Sequence, residues 1–319
     1  MNKEIGGYFE LELTNNGSFP HSDGICLNSG RNALEYILRT LPNITHIWIP
    51  YFTCEVILEP ITKLGIPYSF YHINEDLELE TFIELKGYDY LLITNYFGIK
   101  DKYITELSQR YGDKLIVDNA QAYYAERLNN IKTLYSPRKF VGIPDGGIAF
   151  VDEVFISEDI RQDYSYNRCS HLLKRIDLGA SQAYVDFKEN SHSLSFQPIL
   201  QMSNLTKKLL FNINYESIRR TRNENFKFLH SHLGHTNRLK ISSIDTFRCA
   251  MVYPYFTRDS SLRNKLIDNK IYVAKYWPNV LQWSQKDSLE YELTENIIPI
   301  PIDQRYNSND MNRIVDLII

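Results

Sequence analysis

Cysteine is scarce. The 319-residue chain has four, Cys26, Cys54, Cys169 and Cys249, and no two form a CxxC pair. That spacing argues against a zinc ribbon, a redox dithiol or a disulfide-stapled fold, and fits small core residues in a reducing compartment. The eight histidines show no HExxH or similar ligand spacing, so no metal site is expected. His230, His232 and His235 cluster at an expected helix end, where a surface role fits. No apolar run approaches the roughly 20 residues that span a bilayer. Met1-Asn2-Lys3-Glu4 lacks the apolar core of a signal peptide, which points to a cytoplasmic setting without a membrane partner. Net charge is only -4, too little positive field for nucleic-acid binding by bulk charge. The short run Arg219-Arg220-Thr221-Arg222 reads as a solvated helix face. Hydrophobic residues make up 43% of the chain, enough for a sizeable core.

Short apolar β-type runs alternate with amphipathic stretches up to about Phe150, the pattern of α/β layering. Ile47–Ile49, Tyr68–Tyr71, Leu91–Thr94, Leu115–Val117 and Ile148–Phe150 read as strands. The first four suit a sheet covered on both faces. Ala33, Leu34, Ile37, Leu38 and Leu41 recur at helical spacing, as do Val56, Ile57, Ile61 and Leu64. Residues 153–202 are less regular, with a helix expected around Leu178–Phe187. A helix from about Ser203 to Leu233 is expected to link to a small α+β part. That part has strand-like Ala250–Tyr253 and Tyr272–Ala274, and helices at Ser261–Asn269, capped by Asp259 or Ser260, and Ser308–Ile318. Pro299 and Pro301 mark a loop before the last helix. The expected division is 1–202 and 203–319.

Asp118 ends the run Leu115-Ile116-Val117, at a strand's C-terminal end. Eighteen residues on comes Ser136-Pro137-Arg138-Lys139, followed by Pro144-Asp145-Gly146-Gly147. An acid at a strand end and a lysine on a tight polar loop suit an imine-forming cofactor such as pyridoxal phosphate. The lysine holds its aldehyde, and the carboxylate keeps its ring nitrogen protonated. Burial and cationic neighbours would lower the lysine's pKa for attack. Gln121, three residues after Asp118, can donate to the cofactor's ring oxygen, or serve as a capping-box glutamine. Asn28-Ser29-Gly30-Arg31 opens the first helix, where free N–H groups favour a phosphate; Ser29 as an ordinary N-cap is the plainer alternative. Ser136 can add a hydroxyl to that phosphate. Tyr51 or Phe52, after the first expected strand, can stack on the ring. Asn95, at the end of Leu91–Thr94, reaches the same sheet edge.

These residues together resemble the DegT/DnrJ/EryC1/StrS family of pyridoxal-phosphate-dependent sugar aminotransferases, in a compact branch. The resemblance runs over most of the chain. Asn28–Leu34 looks like the family's phosphate turn and helix, and Ile49–Cys54 like its proline-aromatic segment. Val117-Asp118-Asn119-Ala120-Gln121 is similar to its Asp-Ala-Ala-Gln. Ser136–Lys139 with Pro144–Gly147 resembles its lysine loop, and Ile300–Tyr306 its closing stretch. The Asp-to-Lys pairing is the specific part.

The resemblance implies a fold-type I transferase: a mixed, mainly parallel seven-stranded sheet flanked by helices, a smaller C-terminal α+β domain, and a homodimer. It implies Lys139 as the Schiff-base lysine and acid/base, with Asp118 on the ring nitrogen and Gln121 on the ring oxygen. Ser29, Gly30, Arg31 and Ser136 would hold the phosphate. The implied reaction moves an amino group from an amino acid, usually glutamate, to a keto sugar carried on a nucleotide. The chain departs from the family in three places. It is shorter than typical members. The usual ring-stacking aromatic falls on Cys54, leaving Tyr51 or Phe52 for that task. The asparagine that reaches a neighbouring subunit's phosphate has no match near Arg175. Two alternatives use the same scaffold: a lyase or dehydratase, which Lys139 disfavours because dehydrating members commonly lack the lysine, and a cofactor-free binding or regulatory protein.

Overall fold

The computed structural model describes residues 5–14, 17–152, 160–241 and 244–319. Met1–Glu4, and residues 153–159 of the irregular stretch, lie outside them. The first part runs β1 (Ile25–Leu27), α1 (Gly30–Thr40), β2 (His46–Pro50), α2 (Leu58–Lys63), β3 (Tyr68–Tyr71), β4 (Asp89–Thr94), α3 (Asp101–Tyr111), β5 (Leu115–Asn119), β6 (Lys132–Tyr135) and β7 (Gly147–Phe150). There follow α4 (Ser170–Leu178), α5 (Ala180–Ser193), α6 (Asn204–Phe211), α7 (Tyr215–Leu233), β8 (Val252–Phe256), α8 (Leu262–Asp268), α9 (Val280–Trp283), α10 (Leu289–Asn296), β9 (Ile297–Pro301) and α11 (Ser308–Ile318).

The first seven strands form one sheet in the order β1-β7-β6-β5-β4-β2-β3. Pairing is parallel from β3 through β6, and β7 runs antiparallel to both β6 and β1. The parallel strands carry continuous apolar runs because both faces are covered. One face packs Leu92, Ile116 and Leu134 against Leu34 and Ile37 of α1. The other packs Leu91, Ile93 and Val117 into a cluster that continues through Phe226 of α7, Tyr253 of β8 and Ile300 of β9 to Ile314 of α11.

Several boundaries differ from the sequence expectation. The long helix from Ser203 to Leu233 is two helices, because Asn214 leaves helical geometry and its side chain accepts from Ser217 N, starting a new helix. The helix expected around Leu178–Phe187 is α5, which starts at Ala180 and forms a hairpin with the preceding α4 through a turn at Gly179 with φ of 86°. Tyr272–Ala274 is not a strand. The segment with Pro299 and Pro301 is β9 rather than a loop, antiparallel to β8, where a two-stranded sheet leaves each proline an edge free of the ladder. Asp259 accepts from Ser261 N just ahead of α8. His230 and His232 do fall in the last turn of α7.

Candidate cofactor site

Register brings the site together. Thr94 pairs with Asp118, and Asp118 with Leu134, so the ends of β4, β5 and β6 are level. Side chains alternate between faces along each strand. Asp118 therefore shares the α1 face with Ile116 and Leu134, and Ser136 leaves β6 on that same side. The head of α1 lies beside it. A Cβ on Gly30 would come within 3.9 Å of Ser136 Oγ.

The lysine turn is held from two directions. Pro137–Lys139 is one turn of 3₁₀ helix, closed by Lys139 N donating to Ser136 O at 3.1 Å. Beyond it, the carbonyl of Phe140 accepts from Arg222 Nη2 at 3.3 Å and from Gln304 Nε2 at 3.0 Å. Arg222 also donates to Met251 O at 2.8 Å and is only 3% exposed. It is no solvated helix charge, as its cluster suggested; it bridges the C-terminal part to the lysine loop. Lys139 itself is exposed rather than buried, and its ammonium takes no hydrogen bond or ion pair among the described residues.

Asp118 accepts from Ala120 N at 2.8 Å. Burial pushes its carboxyl up to about 6, against the pull of that N–H and of the Lys139 charge. Lysine and acid are thus close enough to feel one another. Gln121 is 4% exposed, and its Oε1 accepts from Phe97 N at 2.7 Å. A backbone N–H can bond only the amide oxygen, so the Gln121 NH₂ is left as the donor. Phe97 holds a left-handed φ of 56°, and Gly98 beneath it needs its missing side chain, since a Cβ would stand 2.7 Å from Gln121 O.

At the head of α1, Ser29 caps the helix, accepting from Asn32 N at 3.2 Å. The plainer role of its side chain is realised, and the N–H groups of Gly30 and Arg31 remain open. The turn is clamped from below. Gly146 N donates to Asn28 O at 2.7 Å, and a Cβ on Gly147 would sit 2.1 Å from Ser29 O.

Two expected residues are not in the site, and a third is already engaged by neighbours. Asn95 is fully buried on the opposite face. Its Nδ2 donates to Asp101 at 2.8 Å and Asn119 at 3.0 Å, and its Oδ1 accepts from Lys100 N. Alternation along β4 turns it away from Asp118, beside a separate hollow of about 170 Å³ lined in part by Asn119 and Arg248. Phe52 is a core side chain with no exposure, packed edge-on against Trp277 at 4.9 Å. Tyr51 stacks on Phe70 at 4.7 Å and lies 4.6 Å from His72, so its ring is already occupied. The Phe52 ring is not available for stacking. Sequence reading also missed Arg222, Gln304 and Phe97, whose partners lie far along the chain. It missed too that Arg138 turns inward while Lys139 turns out.

Among the described residues no group of histidine, cysteine or acid side chains is placed to hold a metal ion, and no helix is long and apolar enough to cross a membrane. No family model matches the sequence, and no curated protein matches it. Solved structures do match. A DegT DnrJ EryC1 StrS aminotransferase from Brucella abortus is 14% identical, over 92% of this chain and 84% of that one, with a TM-score of 0.60. NtdA from Bacillus subtilis with bound cofactor PMP is 13% identical over 92% and 72%, at 0.63. The sugar aminotransferase CalS13 from Micromonospora echinospora is 12% identical over 92% and 86%, at 0.59. The chain has the fold of these structures, a mixed, mainly parallel seven-stranded sheet flanked by helices, along nearly all its length.

Proposed function

We propose that the chain is a pyridoxal-phosphate-dependent aminotransferase that acts on a keto sugar, with Lys139 and Asp118 as catalytic residues. One observation carries this reading. An unpartnered lysine ammonium and a carboxyl pushed up to about 6 share one sheet edge, beside the open N–H groups of a helix head. Buried acids and free lysines in such proximity are a mark of functional sites. The residues fit the cofactor: an acid for the ring nitrogen, the Gln121 NH₂ for the ring oxygen, and Gly30, Arg31 and Ser136 for the phosphate. The similar structures, one a sugar aminotransferase and one holding PMP, support the same reading.

Bound there, pyridoxal phosphate supplies an aldehyde for amines and a cationic ring that draws off electrons. Asp118 would keep the ring nitrogen protonated, and a cation at that position would lower the pKa of Asp118 again. Lys139 would hold the cofactor by its aldehyde carbon and would serve as the acid/base that carries the proton during amino transfer. Its exposure lets a bulky substrate approach. We take glutamate as the donor and a nucleotide-linked keto sugar as the acceptor, in amino-sugar or surface-polysaccharide synthesis in the cytoplasm. The reading keeps a cofactor-holding part, 1–202, and a C-terminal part, 203–319, the latter with its own two-stranded sheet. It also takes the protein as a homodimer. Support comes from the α4–α5 hairpin, where Leu173, Ile176, Tyr184 and Val185 stand more than half exposed.

The test is chemical. Borohydride applied to the yellow protein (absorbing at roughly 400–430 nm for a lysine-bound cofactor) should fix the cofactor mass on the peptide containing Lys139. Lys139→Ala should neither colour nor label. Glutamate should then bleach the band with release of 2-oxoglutarate, and a panel of keto-sugar nucleotides should restore it. Labelling elsewhere, or turnover by Lys139→Ala, would refute the reading.

A further inference from the structure

We propose that Arg138, together with Arg31, holds the cofactor's phosphate from within a single chain. The proposal rests on the reading above and deepens it, since it assigns Arg138 a ligand.

Of the expected phosphate residues only Arg31 carries charge. Ser29 Oγ accepts from Asn32 N and keeps its O–H to donate, without charge, and Gly30 offers only its backbone N–H. Ser136 is 8% exposed, its hydroxyl has no partner among the described residues, and it points at the head of α1. The structure adds a second cation, Arg138, to Arg31. Arg31 has buried Nε and Nη1 atoms without a hydrogen bond, its nearest carboxylate being Glu59 at 3.4 Å. Arg138 has a buried Nε without a hydrogen bond. Its single contact is a long one, Nη2 to Ser191 Oγ at 3.4 Å.

The local acids bond other groups, although Asp145 keeps one buried oxygen, Oδ1, without a hydrogen bond. Asp163 binds Arg168 at 2.6 Å. Asp145 accepts from Ser203 N at 3.2 Å and lies 3.4 Å from Arg168. Glu59 accepts from Phe196 N at 2.6 Å. Among the described residues no carboxylate is within ion-pair distance of Arg138. A buried guanidinium without a counter-ion is unfavourable, and more so beside another guanidinium. Burial, and next the like charge of Arg31, bring the Arg138 guanidinium down to about 10, against the pull of the Asp145 carboxylate, which lies beyond ion-pair distance. A phosphate dianion answers every open group at once: two guanidiniums, the N–H groups of a helix N-terminus and a serine hydroxyl.

The experiment titrates the cofactor-free full-length protein with pyridoxal phosphate and, separately, with pyridoxal, which lacks the phosphate. Wild type, Arg138→Gln and Arg138→Lys are compared by intrinsic fluorescence. Arg138→Gln should weaken pyridoxal phosphate by about tenfold or more, as loss of a charge-assisted bond does. Pyridoxal should bind it as it binds wild type, and Arg138→Lys should recover part of the loss. In melting curves, inorganic phosphate should raise the Tm of wild type and not of Arg138→Gln. Without phosphate, the Gln variant should melt no lower than wild type, whereas a merely structural arginine would lower it. Equal weakening of both aldehydes, or equal protection by phosphate, overturns the proposal. If neither aldehyde binds wild type, the functional reading fails, and the inorganic phosphate arm still decides the anion site.

Discussion

Gln121 and Phe97 orient one another. Phe97 N donates to Gln121 Oε1 at 2.7 Å, which turns the amide NH₂ outward and holds Phe97 in its left-handed turn. Gln121→Ala removes the acceptor of a buried N–H and the restraint on an unfavourable backbone angle. It should cost about 1–3 kcal/mol of stability, read by urea melts of the cofactor-free protein, and also weaken cofactor binding. An unchanged melt would show that the turn holds without it.

Arg222 ties the C-terminal helices to the lysine loop through the carbonyls of Phe140 and Met251. Arg222→Met keeps the bulk but leaves buried acceptors short of donors. A loss of about 2–4 kcal/mol is expected. Arg222→Lys should recover little, since an ammonium lacks the planar fork that reaches two carbonyls. Denaturant unfolding with both variants checks this.

Asp118 makes stability depend on pH. Its folded value of about 6 stands above the ordinary 3.8. The folded state therefore binds the proton more tightly, and stability falls as pH rises from about 4 to about 6. The cost is fully present above 6 and absent below 4. Asp118→Asn removes it. The cofactor-free variant should gain about 3 kcal/mol over wild type at pH 7.5 and nothing at pH 3.5. It should also lose cofactor retention and turnover. Melting curves across that range decide it.

Gly147 passes directly beneath the head of α1. Gly147→Ala would place a Cβ 2.1 Å from Ser29 O, against backbone that cannot yield as a flexible side chain would. Destabilisation above about 3 kcal/mol is expected, with phosphate protection lost. A normal melt with intact phosphate binding would show the turn to be adjustable.

Ile176 is 81% exposed and Leu173 61% on the α4–α5 hairpin. If that face meets a second copy, Leu173→Glu with Ile176→Glu should shift the protein to a monomer in sedimentation, with little change in monomer folding. A wild-type monomer would remove the homodimer from the functional reading.

Much of the frame was legible along the chain. The strands Leu115–Val117 and Leu91–Thr94, the cap at Ser29 and the last helix follow from runs, periods and capping residues, which act over a few positions. Asp118 at a strand end, and a lysine loop after it, followed in the same way. Asn95 was misassigned because its place depends on parity relative to Asp118, and parity is set by pairing between β4 and β5. Phe52 was misassigned, and the packing of Tyr51 went unseen, because a ring's neighbours, here Trp277 and Phe70, arrive from distant segments.

By itself, then, the order of residues determined the layered α/β arrangement and the delivery of an acid and a lysine to one end of the sheet. Periodicity and turn chemistry are local, so they can be read one segment at a time. Which of Arg138 and Lys139 goes inward, which face receives Asn95, and whether Arg222 meets water or the carbonyl of Phe140 were decided only when the helices closed over the sheet. Burial is a property of what lies opposite a side chain, and the chain brings that opposite surface from far away.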